Sequence, residues 1–133
     1  MGNSHVIPQL YKKIVKAKPD QKLLIKNSHH IRTFCYIDDA INHTLNLTFS
    51  KKSNNNIFNI GTKSEITIKK LAELIKKYAK RDDVKLSFNK IDSDQSPIRR
   101  SPSITKLLKI SSIKNTSLNK GLAQTIKWYK KFS

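Results

Sequence analysis

Glycine is scarce in this chain: three among 133 residues, at Gly2, Gly61 and Gly121. Neither a G-x-G-x-x-G turn nor a P-loop can be built from them. One cysteine, Cys35, excludes an intramolecular disulfide, and no C-x-x-C or Cys/His cluster points to zinc. Cys35 sits in the apolar run Thr33-Phe-Cys-Tyr-Ile37 and reads as an inert packing thiol rather than a nucleophile. Long apolar runs are missing too, since nothing approaches the ~18 residues of a membrane span. The start, Met1 to Pro8, lacks a basic region followed by an apolar one. Gly2 raises N-myristoylation, but Val6 stands where a Ser or Thr is needed. The expectation is a cytoplasmic protein with no membrane partner.

Acidic residues are few, 9 against 27 Lys plus Arg, for a formal net charge of +18. Such a charge invites a nucleic-acid reading. The residue types argue against it: 23 are Lys and only 4 are Arg, spread along the chain beside 17 Ile and 11 Asn. Lys, Asn and Ile share A/T-rich codons, so genomic bias accounts for much of the excess. Arginine, the preferred reader of bases and phosphates, is nearly missing. A small basic nucleic-acid binder therefore stays as the alternative reading.

No H-E-x-x-H and no ordered Ser/His/Asp set occurs. His29-His30 has no carboxylate or thiol at ligand spacing, so no metal site is expected. Asp38-Asp39 reads as a helix cap plus a solvated carboxylate rather than an acid/base pair. Of the arginines, Arg81 follows a helix end and reads as a surface residue. Arg32 opens an apolar strand beside a turn, and Arg99-Arg100 lie in a loop bounded by Pro97 and Pro102. A planar guanidinium suits bidentate contact with a pyrophosphate, which makes Arg32, Arg99 and Arg100 the anion-binding candidates.

The length fits one domain with one core. It leaves no room for a dinucleotide-binding domain beside a substrate domain. Periodicity predicts a helix over 5–17, with Ile7, Leu10, Tyr11, Ile14 and Val15 inward, Lys12, Lys13 and Lys16 outward, and Ser4 as N-cap. A strand over 22–26, a turn over 27–30 and a strand over 31–37 follow. Asp38 is expected to cap a helix over 39–49 with Ala40, Ile41, Leu45 and Phe49 inward. Ile57 to Ile60 reads as a buried strand, and 66–68 as a brief extended piece from which Thr67 opens a helix to Lys80. A strand over 84–88, a loop over 89–103, a short helix over 104–110 and a last helix capped by Ser117 complete the chain. Interleaved strands and helices give an α/β class, in an α+β-like small lobe.

Four blocks in order carry a resemblance. They are His5-Val-Ile-Pro-Gln-Leu10, Ile31-Arg-Thr-Phe-Cys-Tyr-Ile-Asp-Asp39, Phe58-Asn-Ile-Gly-Thr-Lys-Ser-Glu-Ile-Thr-Ile68, and Ser96-Pro-Ile-Arg-Arg-Ser-Pro-Ser-Ile-Thr-Lys106. Together they resemble the C-terminal part of the extended short-chain dehydrogenases/reductases, the NAD-dependent nucleotide-sugar epimerases, dehydratases and decarboxylases. In look they are nearest to the UDP-glucuronate decarboxylases and dTDP-glucose 4,6-dehydratases. The resemblance implies a single nucleotide-sugar-binding lobe over 1–133, without the NAD-binding sheet that the family carries N-terminally. No catalytic residue is expected, because the family's Tyr-x-x-x-Lys pair has no match: Val15, Ala40, Asp82 and Ser133 stand four residues after the tyrosines.

By resemblance, Val6, Ile7 and Gln9 begin the helix that touches the nucleotide sugar, and Leu24 and Ile25 lie on the strand against the base. Arg32 contacts the diphosphate, and Arg100, with Arg99 as rival, grips it from the Pro-bounded loop. No cofactor is expected on this chain alone. The implied partners are a nucleotide-diphosphate sugar and a separate Rossmann-domain chain. A split subunit is compatible with this reading; a non-catalytic remnant or assembly partner stays, beside the nucleic-acid binder, as an alternative. The sequence departs from the family in the loop before Arg32, where Lys26 and Ser28 replace its glycines, and at Ser103 in place of an Asp.

Overall fold

A computed structural model describes residues 5–90 and 96–132. Ser4, expected as the first N-cap, lies outside them, as do Gly2 and part of the 89–103 loop. The elements run α1 (Val6–Lys16), β1 (Lys22–Ile25), β2 (Ile31–Thr33), α2 (Ile37–Thr48), a 3₁₀ turn (Lys51–Ser53), β3 (Glu65–Thr67), α3 (Ile68–Ala79), β4 (Lys85–Phe88), β5 (Arg99–Arg100), α4 (Thr105–Leu108) and α5 (Leu118–Phe132). The fold is mixed α/β. β1 and β4 pair in parallel, with Leu23 opposite Leu86 and Ile25 opposite Phe88. A second sheet has the order β3-β2-β5: β2 runs antiparallel to β3 and parallel to β5, with Arg32 opposite both Ile66 and Arg100.

Three helices with a 3.6-residue apolar period cover these small sheets. Leu10, Tyr11 and Ile14 of α1 meet Leu71, Ala72 and Ile75 of α3 and Leu122 and Ile126 of α5, and Ile25 and Ile66 close the core from the strands. Full burial of such side chains contributes roughly 1.5–3 kcal/mol each. Thr67 caps α3, its side chain accepting from Lys70 N, and the helix ends on Lys80 in the left-handed region (φ 59°). Ser117 caps α5 by accepting from Lys120 N at 3.4 Å. Both caps match the sequence reading.

Several expectations are corrected. Val15 stands outside the core, 40% exposed, because the inward stripe of α1 ends with Ile14 and Ala17. The strand from Ile31 stops at Thr33, where its pairing with β3 runs out, and Cys35 is half-buried between strand and helix. α2 begins at Ile37 with Tyr36, not Asp38, at its N-cap. Its buried residues are Asp39 and His43, whereas Ile41 and Leu45 are half exposed and Phe49 is 83% exposed. Two positions along a helix is a rotation of about 200°, so burying 39 and 43 turns 41 and 45 outward.

The buried side of α2 is polar because a loop satisfies it. His43 Nδ1 meets Ser111 Oγ at 2.8 Å and its Nε2 meets Asn115 Oδ1 at 2.7 Å. The Asn115 amide donates to Gly61 O at 3.2 Å, which leaves Oδ1 facing the imidazole, so Nε2 carries the proton that Oδ1 accepts. Asp39 accepts from Thr116 N and Oγ1 at 2.7 and 2.9 Å. Residues 57–60, expected as a buried strand, pair with no strand of the described chain, and Ile57 is 86% exposed. Arg81, expected on the surface, caps α1 instead, donating to the carbonyls of Ile14, Val15 and Ala17.

Candidate functional site

The start of α1, the end of β1 with its following turn, and the β2–β5 pair surround a cleft of about 550 Å³. α1 contributes Val6, Gln9 and Lys13, preceded by His5; β1 contributes Leu24 and Ile25; the turn contributes Lys26 and Asn27. His30, Arg32, Ser96 and Arg100 close the far side, with Leu10 and Ile68 at the apolar floor. The turn is shaped by Asn27, whose φ of 51° suits a short polar side chain. Ser28 beside it is buried and donates to Asn89 O at 2.9 Å.

Arg32 is already engaged. Its NH1 donates to Ile31 O at 2.7 Å and Ile98 O at 3.2 Å, and its NH2 donates to Ser96 Oγ at 3.1 Å and lies 3.4 Å from His30 Nδ1. These bonds tie the 96–100 segment to β2 and so position Arg100. Burial, and then the neighbouring Arg100, lower the Arg32 pKa from its ordinary value. Two guanidiniums that repel each other in a cleft are eased by an anion between them. Among the described residues lining the cleft none is a carboxylate, while Lys13, Lys26, Arg32 and Arg100 are all cations.

Of the residues singled out from the sequence, Val6, Gln9, Leu24, Ile25, Arg32 and Arg100 come together here. Ile7 and Arg99 do not. Ile7 lines a small gap beside Phe34, Cys35 and Gly121. Arg99, one step from Arg100 on β5, points to the opposite face. There its Nε donates to Glu65 Oε1 at 2.9 Å, and the pair holds the Glu65 carboxyl below the usual range. Lys13 escaped the sequence reading, although positions 6, 9 and 13 share one helix face. Lys26, His30 and Ser96 reach the cleft only through the tertiary arrangement and left no pattern to find.

The cleft can attract and orient a multiply charged anion. Among the described residues no group of three or more His, Cys, Asp or Glu could hold a metal. Burial, then Asp39, raises the pKa of the Cys35 thiol, so it is a poor nucleophile at neutral pH. Neither described glycine offers a phosphate cradle. A Cβ on Gly61 would meet Pro102 Cγ at 3.0 Å, and one on Gly121 would meet the Tyr36 ring at 3.1 Å. No helix among the described residues is long and apolar enough to cross a membrane.

No family model matches the chain. GDP-L-fucose synthase 1 of Arabidopsis thaliana is 31% identical over 132 residues, 97% of this chain and 40% of that protein. UDP-N-acetyl-alpha-D-glucosaminuronate decarboxylase of Bacillus cytotoxicus is 28% identical over 131 residues, 94% of this chain and 40% of that protein. A solved structure of UDP-glucuronic acid 4-epimerase from Bacillus cereus, in complex with UDP-glucuronic acid and NAD, superposes with a TM-score of 0.80 at 25% identity, over 98% of this chain and 41% of that one. The chain thus spans about two fifths of the length of the proteins it matches.

Proposed function

We propose, for a chain whose relatives are extended short-chain dehydrogenases/reductases matched in their C-terminal part, that it is the nucleotide-sugar-binding lobe of such an enzyme and is not catalytic alone. The observation that carries this reading is the cleft with cations on three of its sides and no carboxylate among its described lining. In it, Arg100 and Arg32 hold a diphosphate from the β2–β5 side while Lys13 faces it from α1. Val6 and Gln9 border the sugar, and Leu24 and Ile25 give the base an apolar wall. Ile7 and Arg99 are left out of the site.

NAD belongs to the parent enzyme and not to this lobe. Both described glycines are packed against protein, so neither makes the glycine-rich turn that cradles a dinucleotide pyrophosphate. The reacting groups and the cofactor then come from a Rossmann-type sheet, in a separate chain or in a longer polypeptide. A cytoplasmic location, where Cys35 stays reduced, goes with this reading.

Calorimetric titration with UDP-glucuronic acid and with GDP tests it. Arg100→Ala is expected to weaken binding roughly 10- to 100-fold, the weight of a charged hydrogen bond. Arg99→Ala is expected to leave affinity unchanged. No binding at millimolar ligand, or equal losses in the two variants, would defeat the reading.

A further inference from the structure

A guanidinium has five N–H donors and nothing to accept with. Arg32 spends four of them inside the protein. NH1 donates to Ile31 O and Ile98 O, and NH2 donates to Ser96 Oγ and, at 3.4 Å, to His30 Nδ1. A two-pronged grip on an anion uses Nε and NH2 together. Arg81 holds Asp83 in this way, with Nε 2.9 Å from Oδ1 and NH2 2.8 Å from Oδ2. On Arg32 the NH2 prong is already taken, so a partner must let go before the side chain can close on a diphosphate. The two carbonyls on NH1 are fixed by the sheet, since Ile98 O also accepts from Ile31 N at 2.7 Å and Ile31 lies in the β2 register. His30 is a different kind of acceptor. An imidazole nitrogen accepts only while it carries no proton, and Nδ1 faces a group that can only donate, so it is unprotonated here. A proton added at Nδ1 ends this contact and turns the acceptor into a donor.

His30 is only 2% exposed, yet it lines the cleft beside Arg32, Ser96 and Arg100. Its backbone is pinned on both sides: its N–H donates to Asn27 O at 3.0 Å, and its carbonyl accepts from Ile68 N at 2.9 Å. The groups around it that carry or can take a charge come from every side of the cleft. They are His29, with ring centroids 4.8 Å apart, Arg32 on β2, Arg100 on β5, Lys26 on the turn, and His5 and Lys13 at α1. None of the described lining residues is a carboxylate. An imidazolium there stands among cations, and an anion in the cleft offsets that repulsion. We infer that His30 is a proton-coupled ligand of the diphosphate: as the anion enters, Nδ1 takes a proton from solvent, releases Arg32 NH2 and donates to the phosphate, while NH2 and Nε of Arg32 close on the same anion. Arg32 keeps Ser96 on the second N–H of NH2. The inference rests on the nucleotide-sugar reading above and adds a pH condition to that site. Binding that takes up a proton strengthens as pH falls, and the bound ligand in turn favours the protonated ring.

Calorimetric titration of the chain with UDP-glucuronic acid at several pH values tests this, because the esterified diphosphate and the carboxylate of that ligand keep their charge near neutrality. Affinity is expected to rise roughly 5- to 10-fold from about pH 8 to about pH 6, the span over which a histidine changes charge. At neutral pH the binding heat should differ between two buffers of unlike ionisation enthalpy, in the direction of proton uptake. His30→Gln leaves an acceptor for Arg32 that cannot take a proton, so the pH slope should flatten and the buffer difference vanish. His5→Gln should keep both. Because His30 is buried, the unaltered chain supplies a second readout: its His30 ring signals in NMR should move toward imidazolium when the ligand is added at neutral pH. Affinity independent of pH, proton uptake that survives His30→Gln or is lost in His5→Gln, or unmoved His30 signals would each overturn the inference and leave the nucleotide-sugar reading standing. No binding at any pH would overturn both.

Discussion

Arg81 and Arg32 each commit some of their N–H groups to backbone carbonyls before any ligand is considered. Arg81 fills the role of a C-cap for α1, holding carbonyls that the helix cannot satisfy itself, and it also grips Asp83, with its NH2 2.8 Å from Oδ2. Arg81 holds the Asp83 carboxyl below its ordinary range, as Arg99 does for Glu65. A carboxyl whose pKa is lower in the folded state stabilises the fold above its unfolded pKa. That contribution is lost as pH falls through the folded value. Thermal midpoints should therefore be level from neutral pH to about 5 and fall below about 4, where free carboxylates protonate. Arg99→Ala should remove part of that acid-side fall, and the effect should be small because both pairs face water. His43 is the opposite case, fully buried with a partner on each ring nitrogen. His43→Ala leaves Ser111 and Asn115 unsatisfied beside a cavity and should cost about 2–4 kcal/mol in urea unfolding.

Among the elements, α3 was the most legible in the sequence. Its apolar period, its Thr67 cap and its end at Lys80 were all written in local residues, and the structure repeats them. Lys80 adopts a positive φ that a side chain tolerates at a cost. Lys80→Gly is expected to stabilise the protein by ~0.5–1 kcal/mol, and Thr67→Ala to destabilise it by ~1 kcal/mol, both by chemical denaturation. α5 depends on a close approach. The Tyr36 ring lies only 3.1 Å from where a Cβ on Gly121 would stand, so Gly121→Leu should cost roughly 1–3 kcal/mol from overpacking. α2 was misread for a physical reason. Its apolar stripe is real, but an apolar stripe says only that something covers it, and the described chain covers the other face. The segment 57–60 failed as a strand on the same ground, since a strand exists only through a partner.

Over the whole molecule, the lysines act as a field rather than as a site. Twenty-seven basic residues against nine acidic ones repel one another in the compact state. Raising ionic strength from ~10 mM to ~0.5 M shortens the screening length from about 30 Å to under 5 Å. The thermal midpoint should rise across that range, and a flat response would mean that the lysines are too dispersed to matter. Nucleotide-sugar affinity should fall over the same range, since the cleft draws on the same field.

Local chemistry in the sequence by itself determined the helices, the caps of α3 and α5, the strands β1 and β4 and the lack of a glycine-rich cradle, because these depend on neighbours a few residues away. It also brought Arg32 and the Arg99-Arg100 pair forward as anion ligands. Only the tertiary structure chose between the two neighbours. Successive residues on a strand face opposite ways, and the pairing of β5 with β2 turns Arg100 into the cleft while Glu65 holds Arg99 on the far side. The same long-range pairing brought Lys13 and Lys26 to the cleft from separate elements. It turned α2 so that a buried histidine faces inward and four apolar side chains face out, an outcome set by which partner each face meets.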